Sequence, residues 1–198
     1  MSLYEVSRQV LPHVLNERGL TGQGVEVGVC EGHFSECILA NWPGILYLVD
    51  PWSALEDYQE HYDHEETYRA CMKRLRPYIP RFKILRTTSL EAAQAFDEGS
   101  LDFVYLDARH DYRGVSADLE AWYPKLKVGG LFAGDDYGPN PETLVDFGHG
   151  RVSFGVKRAV DEFALAHAKN VSIDWLAQWS VKDADGSEQM ARNWWLIR

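Results

Sequence analysis

Cysteine, basic residues and long apolar runs are all scarce in this chain of 198 residues. The three cysteines are an odd number without zinc-type spacing, which argues against a disulfide framework and favours a reducing compartment. The 20 basic residues are outnumbered by 30 acidic ones, and a formal net charge of -10 repels nucleic-acid phosphates and anionic membranes. No apolar run reaches the roughly 18 residues that a membrane span needs. We therefore expect a cytoplasmic protein without nucleic-acid or membrane partners.

The composition is that of one domain. Hydrophobic residues make up 45% of the chain and aromatic residues 13%, which is enough for one sizeable core. We expect a single domain over residues 1–198, in which segment 1–23 forms an N-terminal helix ahead of the first strand. The segments 52–80 and 137–155 are longer than ordinary loops, and we interpret them as insertions that flank the acceptor side of a site.

Apolar segments of strand length alternate with amphipathic segments of helix length. The predicted strands are 25–29, 45–49, 82–85, 101–106 and 131–133, followed by a terminal pair near 171–176 and 193–197. The predicted helices are 3–18, 33–41, 67–78, 90–96, one after residue 112 and 156–168. Five βα units and a terminal strand pair predict an α/β fold: a doubly wound, Rossmann-like sheet of seven strands with helices on both faces and an antiparallel last strand.

A glycine loop follows the first strand. Its spacing is Glu26-x-Gly28-x-x-x-Gly32, whereas a dinucleotide-binding loop has G-x-G-x-x-G, with a middle glycine that lets the backbone approach a diphosphate. Cys30 occupies that middle position, and the carboxylate of Glu26 would repel a diphosphate. The same features suit a cation such as a sulfonium. Asp50 follows the second strand, where a carboxylate accepts hydrogen bonds from ribose hydroxyls.

Four strand-end motifs together carry a resemblance to a known family. They are EVGVCEG, the acidic residue Asp50, LDFVYLDARHDY and GGLFAGDDY. In this order they resemble the class I S-adenosylmethionine-dependent methyltransferases, and more narrowly the small bacterial branch with natural-product O-methyltransferases and cephalosporin-hydroxylase-like proteins. The resemblance covers nearly all of the chain from Gly24 onward. It implies the strand order 3-2-1-4-5-7-6, with the cofactor across the carboxyl ends of strands one, two and four.

The resemblance also implies which residues contact S-adenosylmethionine. This set comprises Glu26, Gly28, Val29, Cys30, Gly32, Asp50, Trp52, Ser89 and Asp107. Trp52 is expected to stack on adenine and Ser89 to contact the adenine edge. The alternatives are that Trp52 is a hydrophobic plug for the insertion and that the glycines form a tight turn without a ligand.

Three carboxylates are expected to converge at the carboxyl edge of the sheet. Asp107 ends strand four, and Asp135 and Asp136 end strand five, its neighbour in the proposed order. Like charges held this close are costly unless a cation or protons offset them, and oxygen ligands favour Mg²⁺. The pattern resembles the Mg²⁺ site of catechol-type O-methyltransferases, with Asp in place of the Asn. The alternatives are a helix cap or cofactor contact for Asp107 and a solvated strand end for the pair.

Methyl transfer from a sulfonium needs positioning and an activated acceptor oxygen. Asp107 and His110 are the predicted catalytic residues, and His110 stands where catechol-type enzymes carry a lysine base. His110 could instead hydrogen-bond within its loop, and His149 is a rival base. His61 and His64, among several acidic residues, are better explained as part of a solvated face than as metal ligands.

The function that these residues favour is O-methylation of a small hydroxylated metabolite, assisted by Mg²⁺. One alternative is a cofactor-binding accessory protein of a biosynthetic or hydroxylase complex, without transferase activity. The other is an NAD-linked oxidoreductase, which Cys30 and Glu26 disfavour. Apolar patches, including Trp194 and Trp195, make a homo-oligomer plausible.

Overall fold

Eleven strands occur in the part of the computed structural model that is described, residues 10–54, 63–138, 144–146, 151–173, 179–182 and 188–198. They are β1 (Gln23–Val27), β2 (Ile45–Val49), β3 (Phe82–Leu85), β4 (Leu101–Leu106), β5 (Leu126–Gly134), β6 (Leu144–Asp146), β7 (Arg151–Ser153), β8 (Ser172–Ile173), β9 (Trp179–Lys182), β10 (Glu188–Ala191) and β11 (Trp194–Ile197). Seven of them form one sheet in the order β3-β2-β1-β4-β5-β11-β8. Numbered within this sheet alone, the order is 3-2-1-4-5-7-6, as predicted.

The direction of the strands also agrees with the prediction. The pairs that link β3, β2, β1, β4 and β5 are all parallel. The last strand, β11, is antiparallel to both β5 and β8. Because the first five strands are parallel, the loops that follow β1, β2, β4 and β5 meet at one edge of the sheet. The predicted site residues follow or end one of these strands, except Glu26, which lies inside β1, and Ser89.

Helices cover both faces of the sheet, as the sequence predicts. They are α1 (Val10–Glu17), α2 (His33–Asn41), α3 (His64–Leu75), α4 (Ser89–Ala93), α5 (Tyr112–Trp122) and α6 (Val156–Ala166). The first three contribute to one buried cluster with residues of the sheet, and the last three contribute to a second cluster on the opposite face. Every residue of β4 is buried, as expected for a central parallel strand covered on both faces.

Polar side chains set where several helices begin. Asp63 caps α3 by accepting the backbone N–H of Glu66, and Asp111 caps α5 by accepting that of Gly114. The α4 helix has a capping box between Thr88 and a glutamate three residues later. These side chains satisfy backbone donors that have no partner inside the helix.

Several predicted boundaries were wrong for local reasons. The first strand ends at Val27 and not at residue 29, because Gly28 takes a positive φ of 86° and the next N–H group bonds to Asp50. The fifth strand begins at Leu126, and the predicted turn at 127–130 lies inside it, since Gly129 and Gly130 exchange hydrogen bonds with the C-terminal Arg198.

Two hairpins lie in segments without predicted strands. The strands β6 and β7 pair within the predicted loop 138–155, and β9 pairs with β10 between the two terminal strands of the sheet. Residues 1–9 of the predicted first helix and residues 183–187 of the predicted polar turn lie outside the described residues. Across the described ranges, no helix combines the length and the apolar character required to cross a bilayer.

The last strand of the sheet buries one of its two tryptophans. Trp194 is 1% exposed and its Nε1–H donates to the carbonyl oxygen of Asp135, 3.2 Å away. Trp195, on the opposite face of the strand, is half-buried against the other core cluster. Trp194 therefore contributes no surface patch, because insertion of β11 between β5 and β8 encloses it within the core.

Candidate active site

The glycine loop between β1 and α2 has a backbone that few residues tolerate. Gly28, Cys30 and Gly32 have φ values of 86°, 50° and 74°. A Cβ atom built on Gly28 would overlap the carbonyl oxygen of Asp107, so the loop packs directly on the end of β4. Glycine at position 28 is therefore required both by the left-handed backbone and by this close approach.

Asp50 holds the loop in place from the end of β2. Its Oδ2 accepts the N–H groups of Val29 at 3.0 Å and Cys30 at 2.9 Å, and its Oδ1 accepts the N–H of Trp52 at 2.7 Å. This loop-shaping role was not predicted from the sequence. An ionised carboxylate has roughly four acceptor positions, so the predicted contact with ribose hydroxyls would share this carboxylate with the loop.

Glu26 lies beneath the loop, in β1. It is 1% exposed, and the hydroxyl of Ser35 in α2 donates to its Oε2 at 2.5 Å. A buried carboxylate is costly unless hydrogen bonds or a positive charge offset it. This environment suits the predicted interaction with a cationic ligand better than one with a diphosphate.

Trp52 is enclosed beside the same loop. Its side chain is 2% exposed, its Nε1–H donates to the carbonyl oxygen of Cys30 at 2.9 Å, and its ring meets that of Tyr68 edge-on at 5.0 Å. This burial favours the packing role that the sequence left open. The adenine contact stays a prediction, and it would require the ring to become accessible.

Ser89 begins α4, and its hydroxyl is already committed to a network. It donates to Oδ1 of Asp118 at 2.5 Å and accepts the Nε1–H of Trp122 at 2.9 Å. Both partners lie in α5. The predicted contact with the adenine edge therefore stays a prediction for this position, with one remaining acceptor site on the hydroxyl.

Cys30 has the environment of a structural residue. Desolvation raises the pKa of its thiol to about 11, and the carboxylates of Asp50, Glu31 and Asp107 contribute in the same direction. The thiolate is the reactive form of cysteine, so this thiol is a poor nucleophile near neutral pH. The raised pKa agrees with the interpretation of Cys30 as a small loop residue.

A cluster of two carboxylates and one imidazole lies at the ends of β4 and β5. His110 Nε2 is 2.9 Å from Asp136 Oδ2 and 3.9 Å from Asp107 Oδ1, and the three ligand atoms all lie within 4.8 Å of one another. Asp136 has a positive φ of 59°, an uncommon conformation for aspartate. These atoms are spaced closely enough to share one divalent cation.

Asp135, the third predicted metal ligand, is engaged differently. Its Oδ1 accepts the N–H of Asp136 at 2.7 Å, and its own N–H donates to the carbonyl oxygen of Leu106 at 3.0 Å. Its side chain is 4% exposed and lines the same small cavity as the cluster. The structure thus brings Asp107 and Asp136 together with His110, which the sequence had assigned as a base.

His110 is positioned by the segment that leads into α6. Its ring stacks on Phe154 with centroids 5.2 Å apart and an interplanar angle of 3°, and its carbonyl oxygen accepts the N–H of Gly155 at 2.8 Å. The side chain is 14% exposed. Stacking and the paired carboxylate restrict the imidazole orientation, which is a requirement for a general base.

Asp118 is a residue of this region that the sequence reasoning missed. It is 5% exposed and lines the cavity beside Asp107 and His110. Burial raises the pKa of its carboxyl to about 6, although the hydroxyl of Ser89 opposes this shift. The signal that could have found Asp118 is its helical spacing, three residues after Val115 and four before Trp122, on the apolar face that the sequence predicted.

The remaining histidine candidates lie away from the cluster or outside the described residues. His64 is the first residue of α3, and its carbonyl oxygen accepts the hydroxyl of Thr67 at 3.0 Å. His61 and His149 fall outside the described residues. Among the residues that are described, the cluster around His110 is the group of metal-ligating side chains that converges.

The sheet order, the loop on β1 and the acidic residue after β2 define the class I methyltransferase fold, as the strand-end motifs predict. A family model described as a methyltransferase domain matches residues 25–137, and the chain belongs to this family. The match includes the glycine loop, Asp50 and the cluster at the ends of β4 and β5.

Solved structures with the same fold cover nearly the whole chain. An O-methyltransferase from Bacillus cereus in complex with SAH has a TM-score of 0.61 at 15% identity, covering 98% of this chain and 81% of that one. TomG from Streptomyces achromogenes, an O-methyltransferase of tomaymycin synthesis in complex with SAM, has a TM-score of 0.61 at 12% identity, covering 96% and 78%. A Burkholderia thailandensis 1,6-didemethyltoxoflavin-N1-methyltransferase with bound S-adenosylhomocysteine has a TM-score of 0.62 at 9% identity, covering 98% and 80%.

One curated relative shows sequence similarity over part of its length. The uncharacterized protein y4gI of Sinorhizobium fredii is 31% identical over 117 residues, which is 59% of this chain. The matched segment spans 13% of that protein.

Proposed function

We propose that this protein is an S-adenosylmethionine-dependent methyltransferase that methylates an oxygen of a small hydroxylated molecule. The observation that carries the proposal is the direct packing of the glycine loop, the proposed cofactor loop, on the cluster of Asp107, His110 and Asp136, the proposed acceptor cluster. Gly28 lies against the carbonyl of Asp107, whose side chain belongs to the cluster with His110 and Asp136. A methyl donor on the loop and an acceptor at the cluster would therefore be neighbours, as in-line transfer requires.

The residues present suit a positively charged adenosine cofactor. The loop from Gly28 to Gly32 would hold the methionine part, Glu26 would lie near its positive charges, and Asp50 would accept from the ribose. When bound, S-adenosylmethionine supplies an electrophilic methyl group on sulfur. The proteins solved with SAM or SAH share this fold, which supports the same cofactor here.

The cluster supplies a base for the acceptor. We propose that His110 takes the proton of the acceptor hydroxyl while Asp136, 2.9 Å from Nε2, orients the imidazole and stabilises its charged form. Asp107 would border both the cofactor loop and the acceptor. Phe154, stacked on His110, would keep the ring in place and restrict water on one face.

We further propose that a divalent cation assists, with Mg²⁺ as the first candidate. One ligand atom from each of Asp107, His110 and Asp136 lies within 4.8 Å of the other two, which supports a shared ion. Asp107 and Asp136 would hold the ion, with Asp135 or His110 as the third ligand. A bound ion would lower the pKa of the acceptor hydroxyl. Because Nε2 cannot both ligate the ion and donate to Asp136, metal dependence separates a ligand role of His110 from its role as a base.

Calorimetric titration with S-adenosylhomocysteine tests cofactor binding. The wild-type protein should bind it, and Asp50→Ala should weaken binding by tenfold or more, which is about 1.4 kcal/mol. Lys127→Ala, at the opposite edge of the sheet, is the control and should bind like wild type. Absence of binding at high micromolar ligand would refute the proposed cofactor. Binding without methyl transfer to a panel of phenols, catechols and sugars would favour the non-catalytic accessory alternative.

Metal assistance needs a separate experiment. Activity should fall after EDTA treatment and return with Mg²⁺, and Asp136→Asn should abolish this recovery. Full activity in EDTA, together with a loss of at least 100-fold in His110→Gln, would refute metal assistance and leave His110 as the base.

We also propose the wider setting that the composition predicts. The partner is a small hydroxylated acceptor, without nucleic acid or membrane, and the location is cytoplasmic. The proposed homo-oligomer is tested by light scattering after size-exclusion chromatography, where a monomer mass near 22.6 kDa would contradict it.

A further inference from the structure

The helix α3, from the segment predicted to flank the acceptor, packs against the glycine loop between β1 and α2. A Cβ atom on Gly32 would lie 3.0 Å from the Cys71 sulfur and 3.3 Å from Leu75 Cδ1, so α3 packs closely on the loop at this position. One turn earlier, the ring of Tyr68 contacts Trp52. Residues 68, 71 and 75 share one face of the helix. This face packs on the glycine loop and on Trp52, which donates a hydrogen bond to the carbonyl oxygen of Cys30 in that loop.

Arg74, on the same helix, reaches the loop with its guanidinium group. Its Nε donates to the carbonyl oxygen of Glu31 at 3.0 Å, its Nη1 to Glu36 Oε2 at 3.1 Å, and its Nη2 contacts His33 Nε2 at 3.0 Å. The guanidinium group can only donate, and the same Nε2 lies 3.2 Å from Glu31 Oε2, so Nε2 either accepts from Arg74 or donates to Glu31. One side chain thus connects α3 to the loop and to the first turn of α2.

A second arginine binds α3 to the next loop along the sheet. Arg86, which follows β3, donates from Nη2 to the carbonyl oxygen of Trp52 at 3.1 Å and pairs with Glu65 in the first turn of α3. Its guanidinium carbon lies 4.7 Å from the ring centre of Tyr68. Arg74 therefore links α3 to the carbonyl oxygen of Glu31 in the glycine loop. Arg86 links α3, through Glu65, to the carbonyl oxygen of Trp52.

This attachment matters because the loop conformation is intrinsically unfavourable. Three of its five residues have positive φ, including the non-glycine Cys30, and such conformations persist only where surrounding contacts enforce them. The planar guanidinium fork loses less freedom per hydrogen bond than a flexible ammonium group would. Glu31, whose carbonyl receives the Nε bond, lies between Cys30 and Gly32.

We propose that Arg74 is a positioning residue for the cofactor: by holding the Glu31 carbonyl, it keeps the glycine loop in the conformation that binds S-adenosylmethionine. The inference rests on the proposed cofactor site at this loop. It assigns α3 to cofactor binding and gives segment 63–78 a role in cofactor affinity rather than in acceptor choice.

S-adenosylmethionine and S-adenosylhomocysteine differ in charge, and this difference separates loop positioning by Arg74 from a simple electrostatic effect. S-adenosylmethionine carries one more positive charge than S-adenosylhomocysteine, because its sulfur is a sulfonium. Removing a nearby arginine makes the site more negative, which by charge alone would favour the sulfonium ligand. Loss of loop positioning instead weakens both ligands.

The experiment compares Arg74→Met, Arg74→Lys and the control Arg69→Met by calorimetry with both ligands. Arg69 is an exposed residue of the same helix, and its substitution changes the net charge equally. Arg74→Met should bind both ligands about tenfold more weakly, Arg74→Lys should be intermediate, and Arg69→Met should match wild type. In the methyl-transfer assay, KM for the cofactor should rise while kcat at saturation stays within about twofold.

The possible results are distinguishable. Wild-type affinity of Arg74→Met for S-adenosylhomocysteine would overturn the inference and leave the proposed function standing. Weaker binding of S-adenosylhomocysteine with tighter binding of S-adenosylmethionine would also overturn it in favour of charge. Failure of the wild-type protein itself to bind would refute the proposed function. Should Arg74→Met not fold, Arg74→Lys at full affinity would overturn the inference.

Discussion

Backbone conformations with positive φ are concentrated at residues of the candidate site. Of the four non-glycine residues with positive φ among the described residues, Cys30, Trp52 and Asp136 lie in or beside the cofactor loop and the acceptor cluster. Each costs on the order of 1–3 kcal/mol, and neighbouring contacts must offset that cost. Here those contacts come from Asp50, from the carbonyl of Cys30 and from His110. The site is therefore held in a conformation that its own residues do not favour.

Gly28→Ala should be much more damaging than a matched substitution elsewhere. Both Gly28 and Gly99 have positive φ, but only at Gly28 does a new Cβ meet other atoms, those of Asp107 and Ala108. We expect Gly28→Ala to lower the free energy of unfolding by ~3 kcal/mol or more and to abolish S-adenosylhomocysteine binding. Gly99→Ala should cost ~1 kcal/mol. Urea denaturation checks both values, and equal losses would show that the contact with β4 contributes nothing.

Asp118 should make stability depend on pH in a defined direction. Burial raises the pKa of this carboxyl from 3.8 to about 6, so folding favours the protonated form. Its contribution is complete below pH 3.8 and is lost as the pH rises through about 6. Relative to Asp118→Asn, the wild-type protein should therefore be about 1 kcal/mol more stable at pH 5 than at pH 8. Urea denaturation of both proteins at the two pH values measures this difference, and a reversed sign would contradict the burial effect.

Two helices position opposite halves of the site. The α3 helix contacts the glycine loop through Arg74, whereas α5 begins directly after His110 and Asp111, so its N-terminus anchors the loop that carries His110. Both helices are capped by an aspartate whose side chain accepts a backbone N–H at 3.0 Å. Because each cap serves one half of the site, cap substitutions can separate cofactor binding from catalysis.

Asp111→Ala and Asp63→Ala form a matched pair. Removal of either cap should lower the free energy of unfolding by ~1 kcal/mol, since a backbone donor loses its partner. Asp111→Ala also breaks the 2.7 Å ion pair with Arg109 and frees the loop that carries His110, so kcat should fall about tenfold. Asp63→Ala should leave kcat near wild type and weaken cofactor binding. Steady-state kinetics with calorimetry tests this division, and identical effects of the two variants would contradict it.

At the scale of the whole molecule, net charge and strand topology together place negative charge at one edge of the sheet. The net charge of -10 is accompanied by four aspartates at the carboxyl edge of the sheet, at positions 50, 107, 135 and 136. Parallel strands bring these residues to one edge, whereas Asp102, at the other end of β4, pairs with Lys127 at 2.6 Å. The site edge is therefore a negative region that attracts cations, including a sulfonium or a divalent ion.

Salt should weaken the binding of S-adenosylmethionine more than the binding of S-adenosylhomocysteine. S-adenosylmethionine has a net positive charge and gains from the negative field, while S-adenosylhomocysteine is neutral overall. Raising the salt concentration from about 0.01 M to about 1 M shortens the Debye length from roughly 30 Å to roughly 3 Å. We expect the affinity for S-adenosylmethionine to fall at least threefold more than that for S-adenosylhomocysteine in calorimetric titrations. A parallel decline of both would show that the field does not reach the site.

Much of the fold could be predicted because local patterns decided it. The strands β2, β3 and β4 and the helix α2 begin and end where the apolar periodicity places them. The boundary of β1 and the start of β5 could not be predicted, since they depend on hydrogen bonds to Asp50 and Arg198, which are distant in sequence. The hairpins β6–β7 and β9–β10 lack a strong apolar alternation, so pairing of the chain segments is what makes them strands.

Sequence was sufficient for the class of fold, the position of the glycine loop and the identity of the acidic strand ends, because these follow from short-range spacing and parallel topology. Only the folded chain decided which groups meet. It placed Asp136 beside His110, turned the Asp135 side chain toward the N–H of Asp136, enclosed Trp52 and Trp194, and brought Arg74 to the glycine loop. The physical reason is that a side-chain direction at a strand end depends on one backbone φ value and on neighbours 20 or more residues away, and neither is encoded in local pattern.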